Sequence, residues 1–198
     1  MSKRRAGYTP QDLPETAGLE AELKRVMYRR NYRGTLRSTV YTLITVSAVA
    51  VLVAVLLLPV LRIYGSSMNP TLNEKEIVVS LKGSNFHTGD IVAFYYNNKI
   101  LVKRVIANPG DWVDIDEKGV VYVNKQALDE PYVQEKALGD CDIELPFQVP
   151  EDHYFVMGDD RPISVDSRHE SIGAVAVDQI IGKIMCWLWP LDKIGTVE

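Results

Sequence analysis

Cysteine is scarce in this chain, and that scarcity excludes a fold held together by a disulfide framework. Only two of the 198 residues are cysteine, Cys141 and Cys186, and they lie far apart in the sequence. Small secreted domains that rely on disulfides need more pairs than this. Because 46% of the residues are hydrophobic, the chain is long enough for one compact domain with its own core. The two cysteines could form one disulfide or remain as free thiols, and the sequence does not decide between these states.

Most of the chain also lacks a basic stripe. Residues 1–37 hold nine Lys and Arg against four Asp and Glu, whereas the rest of the chain holds thirteen against twenty-two. The formal net charge of −4 hides this asymmetry. A net-acidic body without clustered basic residues argues against a nucleic-acid partner. The basic N-terminal arm therefore needs another explanation.

Charge is absent altogether from residues 39–61, which read TVYTLITVSAVAVLVAVLLLPVL. As a helix this segment would span roughly 34 Å, enough for a bilayer core. A buried core helix rarely has so long an apolar run, and a cleavable signal sequence has a shorter one nearer the start. We therefore predict a retained transmembrane signal anchor, although the small residues 65–67 behind it leave processing there open.

Basic residues before the anchor predict its orientation. Four arginines precede the apolar run: Arg29, Arg30, Arg33 and Arg37. The positive-inside rule then makes residues 1–38 a cytoplasmic arm and residues 62–198 an extracytoplasmic domain. The apolar spacing within residues 14–32 fits a short helix on the inner membrane surface, but a disordered basic arm fits equally well.

Short alternating runs follow the anchor and predict a mainly β body. The runs are Glu76–Leu81, Asp90–Tyr96, Lys99–Ile106, Trp112–Asp116, Val120–Val123, His153–Met157 and Ile180–Trp189. Glycine, proline and asparagine separate them, and Asn97-Asn98 is typical of a tight hairpin. Residues from about 107 to 155 are less regular and are expected to form an excursion from the main sheet. The acidic stretch 128–150 within it receives no chemical role.

Lys103 is the first candidate for chemistry. It lies in the run KILVKRVI, where alternation places Leu101, Lys103 and Val105 on one face. Burial between apolar neighbours can lower a lysine pKa by on the order of 3 to 5 units, which makes a neutral general base. A lone lysine in a strand is more often a solvated surface residue, so this lysine needs a nucleophile beside it to be significant.

Ser67 is the candidate nucleophile. It lies in the segment Gly65–Leu72, where Pro70 biases its predecessor away from a helical conformation. Ser67 lies six residues past Leu61, at most about 20 Å of extended chain, so the hydroxyl would lie near the membrane surface. Without other evidence, two serines in a loop would be ordinary turn chemistry.

The third candidate segment is Gly158–Arg168, which reads GDDRPISVDSR. Its three carboxylates raise the question of a metal site, but His169 is the one histidine near them, and two arginines interleave with the acids. Bidentate pairing of arginine with carboxylate, which would brace a loop, is the more economical interpretation. We predict neither a metal nor a cofactor.

Together the three segments resemble the sequence boxes of bacterial type I signal peptidases, which are serine/lysine dyad peptidases. Ser67–Leu72 is similar to the pattern Ser-Met-x-Pro-Thr-Leu, and Lys103–Ile106 followed by Pro109–Asp111 is similar to the lysine box. Gly158–Arg168 is similar to the last box, with Asp160 at a position where asparagine is usual. Gly65 stands where some members have a serine that supplies a second oxyanion donor.

The resemblance implies a signal-peptidase-like β barrel or sheet behind one N-terminal transmembrane helix. It makes Ser67 the nucleophile and Lys103 its base, with Ser164 orienting the lysine and the backbone N–H of Ser67 stabilising the oxyanion. The residues expected to hold the dyad's loop in place are Asp159, Arg161, Asp166 and Arg168.

The implied substrates are exported preproteins with small residues at positions −1 and −3 of the cleavage site. Ile63 and Tyr64, together with Leu101 and Val102, are expected to form the walls of the substrate pockets. The bilayer is the other implied partner, and a single-pass protein of the cell membrane is the implied location.

Two alternatives to a signal peptidase remain in view. A self-cleaving repressor would share the serine/lysine chemistry, but such proteins are soluble and carry a DNA-binding portion. A non-catalytic membrane-anchored paralogue that binds exported proteins would be expected to lose Ser67, Lys103 or Ser164, and this chain has all three.

Overall fold

One long helix begins the described part of the chain. The computed structural model describes residues 16–83 and 85–197, so the first fifteen residues of the predicted basic arm lie outside the described residues. The helix, α1, runs without a break over Thr16–Leu57. Residues 16–38 therefore continue into the apolar run as one helix rather than forming a separate short one. Among the described residues, α1 is the one helix long and apolar enough to cross a membrane, and its most apolar 18-residue window has a mean hydropathy of 2.6.

The helix ends at Leu57, four residues before the end of the predicted span. Pro59 explains the difference, because proline has no N–H and disfavours a helical conformation in the residue before it. The next residues, Val60–Arg62, form strand β1, which pairs antiparallel with β2 over Ile77–Leu81. The last residues of the apolar run thus belong to the sheet, which the composition of the run did not reveal.

Residues 54–197 form a compact unit of their own, built from antiparallel strands. The remaining strands are β3 (Ile91–Tyr96), β4 (Lys99–Ala107), β5 (Trp112–Ile115), β6 (Val121–Val123), β7 (Gln126–Ala127), β8 (Phe147–Gln148), β9 (His153–Met157), β10 (Val175–Ala176), β11 (Ile180–Trp189) and β12 (Gly195–Thr196). The predicted mainly β body is confirmed. Each predicted run overlaps one of these strands, whereas the short strands β1, β7, β8, β10 and β12 were not predicted.

The strands form two sheets. The larger has the order β1-β2-β11-β3-β4-β9-β10, with β12 added beside β11. The smaller has the order β7-β6-β5-β8 and occupies the predicted excursion, which is therefore partly regular. Between β7 and β8 the chain runs from residue 128 to 146 without a strand.

The hairpin of β3 and β4 carries Lys103 into the centre of the larger sheet. Asn97 and Asn98 both have positive φ, 42° and 62°, as the two central residues of a tight hairpin turn require. This turn pairs Tyr96 with Lys99, and the resulting register places Lys103 opposite Val92. The hairpin predicted from the sequence is therefore present.

Alternation along β4 divides its side chains between two hydrophobic cores. Val105 packs with Phe94 and Val156 in one cluster, and Leu101 lies against the same cluster. Ile106 packs instead with Phe155 and with residues of the smaller sheet. Because both faces of β4 are covered, its last five residues are buried, and any polar group among them needs a partner inside the protein.

Candidate active site

The structure brings three segments of the sequence together around one amine. Lys103 lies in the middle of β4, Ser67 in the turn after β1, and Ser164 in the turn after β9. The Nζ atom of Lys103 lies 2.7 Å from Oγ of Ser67 and 2.9 Å from Oγ of Ser164. The amine therefore contacts the hydroxyls of two separate loops.

Lys103 is almost completely buried, with 3% of its surface exposed. Burial is the main cause that lowers its pKa from 10.5 to about 8, and the nearby positive charge of Arg168 acts in the same direction. The carboxylates of Asp166 and Asp159 oppose the shift, and Asp166 has the larger effect. The amine can thus lose its proton near neutral pH, as a general base must.

The loop that carries Ser67 is built from turns rather than helix, as Pro70 predicted. The N–H of Asn69 donates to the carbonyl of Ser66, and the buried Met68 and Leu72 anchor the loop in the core. Among the residues described, none accepts a hydrogen bond from the backbone N–H of Ser67. This N–H is therefore available to a substrate oxygen.

Gly158 lies at the point where the Ser67 and Ser164 loops meet. A Cβ atom at this position would overlap Oγ of Ser164 and the carbonyl oxygen of Ser67, so only glycine fits. The N–H of Gly158 donates to Oδ2 of Asp166 at 3.0 Å, and the N–H of Asp160 donates to the carbonyl of Ser67 at 3.1 Å. The backbone of this segment thus connects both hydroxyls that contact the lysine.

Asp166 and Arg168 form a buried pair behind the Ser164 turn. Nε of Arg168 lies 2.9 Å from Oδ1 of Asp166, and the guanidinium also donates to the carbonyls of Arg161 and Ser164. Burial by itself would raise the pKa of Asp166, but the hydrogen bonds and positive charge of Arg168 leave this pKa below its usual value. The pair is therefore charged and holds the turn by several bonds.

Asp159 and Arg161 pair with residues that sequence reasoning missed. Asp159 accepts two hydrogen bonds from Arg104, at 2.7 and 2.9 Å, on the face of β4 opposite Lys103. Arg161 pairs with Glu130, which lies in the acidic stretch to which no chemical role was given. The place of Arg104 beside Lys103 in an otherwise apolar strand was a usable signal, whereas nothing in the sequence marked Glu130.

An apolar groove of about 720 Å³ opens beside the serine and the lysine. Ser67 and Lys103 both line it. The four predicted wall residues also line it: Ile63, Tyr64, Leu101 and Val102. They come from the end of β1 and from β4, so the groove lies between two strands. The structure brings together all the residues that the sequence proposed for the dyad and its pockets, while their roles remain predictions.

The structure also describes the acidic side chains near His169 and the two cysteines whose pairing the sequence left open. Within residues 16–83 and 85–197, no group of three or more histidine, cysteine, aspartate or glutamate side chains is arranged to hold a metal ion. Cys141 and Cys186 are both free thiols rather than a disulfide.

A serine hydroxyl in contact with a buried amine, next to an apolar groove, is the arrangement of a serine peptidase. A family model described as signal peptidase, peptidase S26, matches residues 36–189. The chain belongs to this family. Signal peptidase I of Bacillus amyloliquefaciens is 36% identical over 166 residues, which cover 74% of this chain and 89% of that protein.

Two further relatives are also signal peptidases. Signal peptidase I of Streptococcus pneumoniae serotype 4 is 32% identical and covers 68% of this chain and 84% of its own length. Signal peptidase IB of Staphylococcus aureus strain COL is 37% identical and covers 66% and 78%. A crystal structure of a signal peptidase I from Enterococcus faecalis V583 matches with 30% identity and a TM-score of 0.42, over 50% of this chain and 96% of that one.

The family match and the sequence relatives from Bacillus and Staphylococcus confirm the resemblance to bacterial type I signal peptidases and the enzyme class, a serine peptidase and hydrolase. The family match does not favour a soluble self-cleaving repressor. The non-catalytic alternative has no support from the site either, because Ser67, Lys103 and Ser164 are all present and in contact.

Proposed function

We propose that this chain is a membrane-anchored type I signal peptidase that removes signal peptides from exported preproteins by acyl transfer to Ser67. The observation that carries the proposal is the 2.7 Å contact between Oγ of Ser67 and Nζ of Lys103, at the edge of an apolar groove. A lysine pKa of about 8 supports it, because the base must be neutral before it can accept a proton.

Acylation begins when the neutral Lys103 takes the proton of Ser67 as the serine oxygen attacks the scissile carbonyl carbon. The carbonyl oxygen becomes an oxyanion, to which the N–H of Ser67 can donate. As the tetrahedral intermediate collapses, the C–N bond breaks and Lys103 gives its proton to the leaving amine, the new N-terminus of the mature protein. The signal peptide is left as an ester of Ser67.

Deacylation repeats these steps with water. Neutral Lys103 accepts a proton from a water molecule, whose oxygen attacks the ester carbonyl. Collapse of the second intermediate breaks the bond to the serine oxygen, and the proton on Lys103 returns to Ser67. The signal peptide leaves as a carboxylic acid, which ionises in water, and the enzyme is restored.

The supporting residues hold this geometry rather than take part in proton transfer. Ser164 contacts the amine at 2.9 Å and limits its direction, and Asp166 with Arg168 holds the Ser164 turn from behind. Asp159 with Arg104 fixes the strand on the other side, and Arg161 fixes the backbone at Gly158. Orientation of this kind accounts for a large part of the rate of an intramolecular proton transfer.

The groove is the proposed site for the last residues of the signal peptide. Its walls, Ile63, Tyr64, Leu101 and Val102, come from the end of β1 and from β4, which can flank an extended segment. They are the proposed walls of the pockets for the small side chains at positions −1 and −3. Peptides that differ only in the size of the −1 residue test this assignment. Cleavage should fall steeply from alanine to leucine, and equal cleavage of both would contradict the proposed pockets.

Helix α1 is the proposed anchor. Its apolar part begins near Thr39, and four arginines before that point favour a cytoplasmic N-terminus. The catalytic domain would then act outside the cytoplasm, where the ends of exported preproteins emerge. Protease added to intact spheroplasts should degrade the domain but spare an epitope placed at the N-terminus, and the reverse pattern would contradict this orientation.

Ser67→Ala and Lys103→Ala in the full chain, purified in detergent, test the central proposal with a preprotein as substrate. Each should lower kcat/KM by at least about 10⁴-fold, because each removes a member of a unit that acts together. Circular dichroism should show that the fold is retained. Ser66→Ala and Lys118→Ala are matched controls of the same residue types and should cleave normally. Near-normal cleavage by either dyad variant would reject the mechanism.

A further inference from the structure

Two residues of the acidic stretch between β7 and β8 reach the active site from behind. Glu130 and Tyr132, which we call the Glu130–Tyr132 clamp, contact two different segments of the site. The hydroxyl of Tyr132 donates to Oε1 of Glu130 at 3.3 Å, so the two side chains are also joined to each other. Neither residue lines the groove.

Glu130 holds the backbone that supports the two serines. It is 4% exposed, and its carboxylate accepts two hydrogen bonds from Arg161, whose side chain is completely buried. Nε of the same guanidinium donates to the carbonyl of Gly158 at 3.0 Å. Gly158 lies directly against the carbonyl of Ser67 and the hydroxyl of Ser164. A movement of Arg161 would therefore shift both hydroxyls that contact the amine.

Tyr132 holds the strand that carries the amine. The centroid of its ring lies 3.9 Å from the guanidinium carbon of Arg104, the residue after Lys103 in β4. Arg104 in turn donates to Asp159, to the carbonyl of Gly89 and to Oγ1 of Thr71, which belongs to the serine loop. Stacking of this kind contributes more where water is excluded. Tyr132 is partly buried, and this burial raises the pKa of its hydroxyl well above the usual value.

We propose that Glu130 and Tyr132 are positioning residues for the peptidase reaction: one sets the loop that holds Ser67 and Ser164, and the other sets the strand that holds Lys103. The inference rests on the function proposed above and extends it to a segment outside the family's sequence boxes. Because the clamp does not contact the groove, its loss should affect the chemical step rather than substrate binding.

Glu130→Gln and Tyr132→Ala in the full chain, assayed in detergent with a preprotein, test the proposal. Each should lower kcat by roughly 10- to 100-fold, as expected for a misplacement of about 1 Å, and change KM less than about twofold. Glu135→Gln is the matched control, since Glu135 is exposed on the same stretch. Tyr132→Phe keeps the ring over Arg104 and should retain most of the activity. A normal kcat for Glu130→Gln or Tyr132→Ala would overturn the proposal, and so would a change confined to KM.

Two further readouts separate positioning from mere stabilisation of the fold. Arg161→Gln and the double variant with Glu130→Gln should have equal effects on kcat, because Glu130 acts through Arg161, and additive effects would overturn that link. Tyr132→Ala removes the contact that holds Arg104 and lets β4 shift, so the amine of Lys103 on the other face of the strand should become less well buried. Its pKa should then rise, and the acid limb of kcat/KM should move to higher pH. A lower Tm with an unmoved limb and a normal kcat would mean a purely structural role.

The dyad variants distinguish a failure of the clamp from a failure of the proposed function. If wild type cleaves, Ser67→Ala does not, and the clamp variants equal wild type, only the clamp proposal is overturned. If Ser67→Ala cleaves normally, the proposed function fails whatever the clamp variants do.

Discussion

Activity should depend steeply on pH through Lys103. With a pKa of 10.5, a free lysine is neutral in about 0.03% of molecules at pH 7, whereas a pKa of about 8 makes about 10% neutral. Burial therefore increases the concentration of the reactive base about 300-fold at this pH. Since the base must be neutral, kcat/KM should follow the neutral fraction and fall about tenfold for each pH unit below 7.

The assay is the cleavage of a preprotein without titratable residues near its cleavage site, measured between pH 5.5 and 9. Wild-type kcat/KM at pH 6 should be about 2% of its value at pH 8, from the neutral fractions at these two pH values. Circular dichroism over the same range must show an unchanged fold. A profile that is flat between pH 6 and 8 in a folded enzyme would refute the reasoning, because an ammonium cannot accept a proton.

Asp166→Asn is the perturbation that tests the cause of the profile. The Asp166 carboxylate raises the pKa of Lys103, so removing its charge should lower that pKa further and move the acid limb to lower pH. The positive charge of Arg168, which loses its carboxylate partner in this variant, also lowers the pKa of Lys103. The maximal rate will also fall, because the Asp166–Arg168 pair no longer holds the Ser164 turn. The quantity to compare between the two enzymes is therefore the ratio of activity at pH 6 to activity at pH 8. A ratio equal to or below that of wild type would contradict the electrostatic explanation.

The remaining predictions concern the fold around the site. Gly158→Ala should lower kcat at least about 100-fold, because a methyl group would displace Ser164 from the amine, whereas Gly83→Ala, with open space around it, should cleave normally; equal activities would contradict the packing. Lys103 also affects stability: its pKa is lower folded than unfolded, so the unfolded chain binds more protons between pH 8 and 10.5 and stability rises with pH there. In urea unfolding, wild type should gain about 2 kcal/mol relative to Lys103→Met from pH 8 to 10, and parallel curves would contradict the shifted pKa.

Several elements were predictable because their causes are local. The paired asparagines at 97 and 98 determine a hairpin turn by their tolerance of positive φ, and the turn determines the register of β3 and β4. Alternation along β4 then placed Lys103 among apolar neighbours. The uncharged run from residue 39 identified the apolar helix for the same reason, since composition over twenty residues is itself the signal.

Other elements could not be predicted because their causes lie far away in sequence. Val60–Arg62 forms a strand because it pairs with the edge of β2. An apolar run of this kind fits a helix as well as a strand, so the sequence did not distinguish the two. The partner of Asp159 was expected among the arginines of its own segment, but the fold brings Arg104 closer. Glu130 has no local feature that distinguishes it from the other acids of its stretch.

The amino-acid sequence alone determined the class of this protein: an apolar helix, a β body, and a serine, a lysine and a second serine in a characteristic order. These follow from short-range patterns that each residue carries with it. Only the tertiary structure decided that the amine of Lys103 is buried away from water and contacts two hydroxyls. It also decided that Arg104, Glu130 and Tyr132 hold the surrounding segments. The physical reason is that a pKa and a hydrogen-bond distance depend on which atoms surround a group. The hydroxyls that contact Lys103 belong to residues 36 and 61 positions away in the sequence.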